Sequence, residues 1–298
     1  MNNIVFNLGL IGWPVDHSLS PAIHQAALQA VGLKGSYELF PVPRLPDGAA
    51  QLEDLLNRMR AGNIQGLNVT VPHKQSVIPF LDDLTAEAQE IGAVNTVVLR
   101  EGQLVGENTD ARGFLNDLRK NLQSFPDDKA ALILGVGGAG RAAAYALTRA
   151  GWQVTVAARR FEQAEILVGD LCNHRSDQLS AVPLSQEIAA VEPFQLLVNA
   201  TPVGMAPLDS KSPWPVDLPL PRSCFVYDLV YNPKETVLIQ QARALGLPAC
   251  GGLGMLVEQA ALSFEIWTGS EASRFQMYAV VGEDLVEPSE SQEVKHDA

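Results

Sequence analysis

The chain has 298 residues, 47% of them apolar, enough to bury one large core or two modest ones. Its 21 Lys and Arg against 34 Asp and Glu leave a formal charge of −13, which argues against a surface built to neutralise nucleic-acid phosphates and makes any anionic ligand depend on local donors. No apolar run reaches the roughly 18 residues of a membrane span, and Met1-Asn2-Asn3 lacks the basic stretch of a secretory signal, so the expected address is cytoplasmic, with no membrane or nucleic-acid partner.

The first third alternates strand and helix signals. An apolar run from Ile4 to Ile11 predicts a strand, Pro21 to about Ala30 a helix, and Tyr37 to Val42 a second strand. Ser18-Leu19-Ser20-Pro21 predicts Ser20 at a helix N-cap with Pro21 at N1, where free backbone donors could meet an anion; capping alone leaves Ser18 unexplained. Leu52, Leu55, Leu56 and Met59 have helical spacing, and Leu67 to Val71 reads as a strand stopped by Pro72. Thr70 and Lys74 flank that stop; a Lys there is usually solvated, and His73 reads as a packing neighbour. Val94 to Leu99 predicts a strand with a tight turn at Glu101-Gly102. Gly92-Ala93-Val94-Asn95-Thr96 and Glu107-Asn108-Thr109-Asp110 are polar interruptions at strand ends, each explicable by turn hydrogen bonding alone.

A second unit opens at Ala130-Ala131-Leu132-Ile133-Leu134, a fully apolar strand running into Gly135-Val136-Gly137-Gly138-Ala139-Gly140 and an Ala-rich helix to Ala150. Strand, glycine run and helix in that order fit the dinucleotide fingerprint, in which glycines let backbone N–H groups and the helix N-terminus approach a pyrophosphate. The next strand, Val154 to Ala158, is followed by Arg159 and Arg160 where an NAD site would carry an acidic residue for the ribose hydroxyls. Guanidinium groups suit a 2′-phosphate instead, so NADP is favoured. Two solvated surface arginines are the plainer reading of the same residues. Further strands are expected at Leu196-Val198 and Phe225-Tyr227, giving a doubly wound α/β pattern. After Gly252 helical spacing returns through Leu256, Ala260, Phe264 and Trp267 with a stop at Gly269, and from Glu287 the sequence reads as a disordered tail. Cys172, Cys224 and Cys250 are odd in number and without CxxC spacing, so they read as reduced filler, with no metal implied.

Taken in order, SLSP at 18–21, NVTVPHK at 68–74, GAVNT at 92–96, NTD at 108–110, GVGGAG at 135–140, NATPVG at 199–204 and GLGMLVEQA at 252–260 closely resemble the shikimate dehydrogenase family over nearly the whole chain. The resemblance implies an N-terminal α/β substrate domain completed by C-terminal helices (1–110 with 252–286) and a Rossmann doubly wound NADP-binding domain between them (111–251), with 287–298 as the tail. It implies reduction of 3-dehydroshikimate to shikimate by NADPH, with Lys74 and Asp110 as the catalytic pair. Ser18, Ser20, Thr70, Asn95, Asp110, Tyr231 and Gln259 would contact the substrate. Gly135, Gly137, Gly138, Ala139, Gly140, Arg159, Arg160, Thr201, Leu229, Gly252 and Met255 would form the cofactor site, in a monomer or homodimer. The chain departs from the family pattern at Gly140, Ala111 and Ala158. Two other readings stay open: a quinate/shikimate dehydrogenase of relaxed specificity, and a non-catalytic NADPH-sensing homologue.

Overall fold

The computed structural model describes residues 5–122, 129–171, 177–185, 188 and 193–282; Cys172 and the tail from 287 lie outside them. Two six-stranded sheets are present. The first contains β1 (Val5–Gly12), β2 (Lys34–Pro41), β3 (Gly66–Val69), β4 (Asp83–Leu84), β5 (Thr96–Arg100) and β6 (Gln103–Glu107), in the spatial order β2-β1-β3-β5-β6-β4. Its β2, β1 and β3 run parallel, while β5 is antiparallel to both β3 and β6. The β5–β6 hairpin turns at Glu101 and Gly102, both at positive φ (50° and 81°), the backbone twist that a two-residue hairpin turn demands.

The second sheet is parallel throughout. Its strands β7 (Ala130–Leu134), β8 (Gln153–Ala158), β9 (Leu179–Pro183), β10 (Leu196–Asn199), β11 (Phe225–Asp228) and β12 (Ala249–Gly251) lie in the order β12-β11-β10-β7-β8-β9, the doubly wound arrangement in which the order reverses beside β7. Helix α5 (Gly138–Arg149) leaves β7 at that switch point. Strand β7 is apolar along its length because helices cover both faces of a parallel sheet, and Leu132, Ile133 and Leu134 have no exposure at all.

Helices α1 (Ser20–Ala30), α2 (Ala49–Arg60), α3 (Ala86–Ile91) and α4 (Asp110–Asn121) belong to the first part of the chain, and α6 (Phe161–Leu171) and α7 (Val237–Ala244) to the second. The late helix α8 (Leu253–Thr268) ends at Gly269, in the left-handed conformation the sequence stop predicts. Only Met255 at its start joins the core of the sheet it follows. Its Leu253, Val257, Ala261, Phe264 and Trp267 join Phe6, Leu8 and Leu10 of β1 and Ile23 and Leu28 of α1 in one buried core, with α9 (Arg274–Ala279) alongside. Gly66 on β3 lies flat under the Trp267 indole, where a Cβ would stand 2.4 Å from the ring, and Trp267 Nε1 donates to Val97 O at 3.0 Å.

One expectation is corrected. The N-cap of α1 is Leu19, whose backbone is already helical (φ −84°, ψ −7°), so Ser20 lies inside the first turn and is not the cap. The hydroxyl that meets a free backbone donor is that of Ser18, which accepts from Ser20 N at 3.2 Å.

Candidate active site

Strand register assembles the site. Thr96 on β5 pairs with Glu107 on β6, so Asn95 just before one strand and Asn108-Thr109-Asp110 just after the other share one end of the hairpin. Thr96 also pairs across to Asn68 on β3, and the chain leaving β3 turns back until Lys74 O accepts from Val94 N at 2.7 Å. Lys74 is thereby carried to the same point as Asp110, the first residue of α4, where backbone N–H groups favour a carboxylate. Lys74 Nζ donates to Asp110 Oδ2 at 2.5 Å, and Asn95 Nδ2 donates to Asp110 Oδ1 at 2.9 Å. The Lys74 and Asp110 side chains are only 14% and 4% exposed. An ammonium fixed this way, with its counter-ion's second oxygen occupied, is a localised cation that can give a proton to, or stabilise charge on, an oxygen placed beside it.

Gln259 on α8 reaches the same cluster, accepting from Asn95 Nδ2 at 3.2 Å; Gly113 on α4 permits this approach, since a Cβ there would stand 2.7 Å from Gln259 N. Ser18 and Tyr231 form a second group: burial pushes the Tyr231 phenol up, and its hydrogen bond with Ser18 pulls it part of the way down. Ser20 sits beside Tyr37, whose phenol burial also pushes up. Tyr37 Oη donates to Asn68 Oδ1 at 2.8 Å, and Asn68 Nδ2 donates to Asn95 O at 3.1 Å, so Asn68 bridges the two groups. Thr70 stands between the ends of β1 and β3, its N–H bonded to Ile11 O at 2.8 Å and its methyl group against Gly12. His73 is buried with Nε2 2.7 Å from Val42 O, a packing neighbour and not a site residue.

Sequence reasoning left out Asn68, Thr109, Ser263, Tyr37 and His24. Ser263 lies one helical turn beyond Gln259 and contacts Thr96 Oγ1 at 2.7 Å, Thr109 Oγ1 at 3.1 Å and Asn68 Nδ2 at 3.0 Å. The usable signals were a polar Asn68 inside an apolar strand run and the i, i+4 spacing of Gln259 and Ser263. His24, one turn past Ser20, stacks on Tyr37 with ring centroids 4.4 Å apart; among the described residues neither ring nitrogen meets a partner in good hydrogen-bond geometry, and burial, offset in part by the Asn68 side chain, lowers its pKa to about 3, keeping it neutral. Ser263→Ala is expected to cost about 1–3 kcal/mol of stability by stranding buried donors, read from urea unfolding; an unchanged midpoint would mean the remaining hydroxyls re-pair fully.

The glycine run borders this cluster. Gly135 takes φ +105° against Thr201, and a Cβ on Gly140 would stand 2.2 Å from Gly135 O, so helix α5 can leave the strand this tightly only with glycine at 140. Among the described residues nothing lies within 4 Å of a Cβ built on Gly137, leaving room at the start of α5 for a phosphate beside the N–H groups of its first turn. Ala139 follows within the first turn of α5. Asn199 Oδ1 accepts from both Thr201 N (3.0 Å) and Thr201 Oγ1 (2.7 Å), holding that loop, while Leu229 N donates to Asn199 O at 2.9 Å. Gly252 lies on the Leu229 carbonyl, and Met255 packs into the same core as Leu229. Arg159 and Arg160 are exposed at the end of β8. The residues therefore fit a dinucleotide: a cradle for pyrophosphate at α5, and cations one strand over for its far end.

Comparisons with known proteins point to one family. The model of the shikimate dehydrogenase substrate-binding domain matches residues 10–97, and that of the shikimate 5′-dehydrogenase C-terminal domain matches 252–281. The shikimate dehydrogenase (NADP+) of Salinibacter ruber is 41% identical over 279 residues, covering 92% of this chain and 96% of the relative. The chain belongs to the shikimate dehydrogenase family. Among solved structures, the Thermus thermophilus shikimate 5-dehydrogenase in complex with NADP(H) and shikimate superposes with a TM-score of 0.79 at 41% identity, covering 92% of this chain and 98% of that one. The family fold also extends to a quinate dehydrogenase from Corynebacterium glutamicum in complex with NAD, with a TM-score of 0.83 at 33% identity over 93% and 98% of the two chains.

Proposed function

We propose that this chain is an NADP-dependent shikimate dehydrogenase, reversibly reducing 3-dehydroshikimate to shikimate in chorismate and aromatic amino acid biosynthesis, with Lys74 and Asp110 as its catalytic pair. The observation that carries the assignment is the 2.5 Å contact between Lys74 Nζ and Asp110 Oδ2 at the border of the glycine run. Bound NADPH supplies the hydride. Lys74 then holds the carbonyl oxygen that gains negative charge and gives it a proton, while Asp110 keeps the ammonium in place, itself steadied by Asn95. Ser18, Ser20 and Tyr231 would hold the substrate carboxylate and Thr70, Asn95 and Gln259 its ring hydroxyls, which is supported by the two hydrogen-bonded groups that Asn68 joins. Arg159 and Arg160 would take the 2′-phosphate.

The proposal places the substrate unit at 1–110 with 252–286 and the cofactor unit at 111–251, supported by the shared core of β1 and α8. It also places a monomer or homodimer in the cytoplasm. Initial rates of the purified protein with shikimate or quinate, each with NADP+ or NAD+, test it directly. We expect kcat/KM for shikimate with NADP+ to exceed the other three combinations by at least about 10-fold. A preference for quinate with NAD+ would reassign the substrate, and no turnover with any combination would favour a sensing role.

A further inference from the structure

Lys74 is held at three places. Its carbonyl is bonded to Val94 N at 2.7 Å, its ammonium to Asp110 at 2.5 Å, and its methylene stem runs along the first residue of α5. There, a Cβ built on Gly138 would stand 2.8 Å from Lys74 Cβ, 2.9 Å from Cδ and 3.4 Å from Cγ. The first two distances are closer than real carbon contacts allow; one is to Cβ, fixed by the Lys74 backbone, and the other is to Cδ, which cannot swing away without moving the ammonium two bonds on. Neighbouring Gly137 is different: among the described residues nothing lies within 4 Å of a Cβ there, and its φ of −71° suits any residue.

We infer that Gly138 is a positioning residue for the reaction: its missing side chain is the space through which Lys74 reaches Asp110, so the loop that cradles the cofactor phosphates also sets where the reacting ammonium stands. A lysine stem has four rotatable bonds and loses much freedom when held, so a wall of fixed backbone against it restricts the tip more than the single ion pair could. The inference rests on Lys74 being the reacting cation, but the contact itself does not. It separates two duties inside the glycine run. Gly135 and Gly140 shape the turn, Gly137 leaves room for phosphate, and Gly138 leaves room for lysine.

The test compares Gly138→Ala with Gly137→Ala and adds a stability cycle with Lys74→Gly, which removes the stem. Gly138→Ala is expected to lower kcat at saturating NADPH by about 10-fold or more, the scale of a catalytic group displaced by a fraction of an ångström. Gly137→Ala is expected to act on the KM for NADPH instead. In the cofactor-free protein, Gly138→Ala should lower the midpoint of thermal unfolding by about 3 °C or more, and that loss should vanish in the Lys74→Gly background. If Gly138→Ala alone fails to fold, the double variant should recover. Equal losses in both backgrounds, or a Gly138→Ala effect confined to the KM for NADPH, would overturn the inference. An inactive wild type would sink the proposed function and leave the stability cycle to be judged alone.

Discussion

Lys74→Ala is expected to lower kcat by at least about 100-fold while leaving the Kd for NADPH within about 3-fold of wild type. The expectation follows from burial. With the ammonium gone, the Asp110 side chain, 4% exposed, keeps the Asn95 amide on Oδ1 but loses the partner of its other oxygen, which on the proposed mechanism borders the substrate carbonyl. On the proposed mechanism the variant therefore loses the cation that would stabilise the alkoxide and leaves a carboxylate that would oppose it. In the proposed site NADPH is held by the loop from Gly135 to Gly140 and by Arg159 and Arg160 after β8, and Lys74 meets that loop through its stem at Gly138. Single-turnover kinetics and a fluorescence titration with NADPH separate the two terms. Turnover near the wild-type rate would remove Lys74 from the chemistry, and an equal loss in NADPH affinity would make its role one of loop support.

Replacing both Arg159 and Arg160 by Ala is expected to raise the KM for NADPH by roughly 10- to 100-fold, with the KM for NADH changing less than about 3-fold. A charge-assisted hydrogen bond to phosphate is worth about 1.5–3 kcal/mol, and NADH lacks the group that would make it. The arginines stand immediately after Ala158, the last residue of β8, at the strand end where a carboxylate would otherwise meet the ribose hydroxyls. Both are exposed, so their removal leaves no buried carboxylate without its partner, and the effect should appear in binding and not in stability. Parallel initial-rate measurements with the two nucleotides decide it: equal changes would place the 2′-phosphate elsewhere.

Much of this was readable from the residues themselves. The apolar strand of β7, the glycines after it and the helix that follows are a local signal, because strand, turn and helix N-terminus are contiguous in the chain. The Glu101-Gly102 turn and the Gly269 stop are likewise local, each fixed by a backbone conformation that few residues adopt. The Lys74–Asp110 pair was not local. Residue types around it predicted solvated or turn-forming side chains, and only the resemblance in motif order singled the two out. What brings them together is the register of three strands, with Asn68 opposite Thr96 and Thr96 opposite Glu107, and no periodicity within one strand encodes its neighbour's register. Ser263 escaped for a related reason: on a helix whose faces are largely buried, a lone serine looks like filler until Asn68, Thr96 and Thr109 arrive from elsewhere. The Ser20 cap was misplaced by one residue because Leu19, a poor capping residue, already has helical angles, while Ser18 supplies the hydroxyl from one position earlier.

The seating of α8 on β1 and α1 also orders events during synthesis. Phe6, Leu8, Leu10, Ile23 and Leu28 are made before Val257, Phe264 and Trp267, which complete their core more than 200 residues later. The parallel sheet from β7 to β12 is complete in sequence before α8 exists, so it can settle while the earlier strands still lack their lid. A released fragment ending at Gly251 would carry all six strands of the parallel sheet beside an amino-terminal part with open apolar faces, the species that chaperones would be expected to hold.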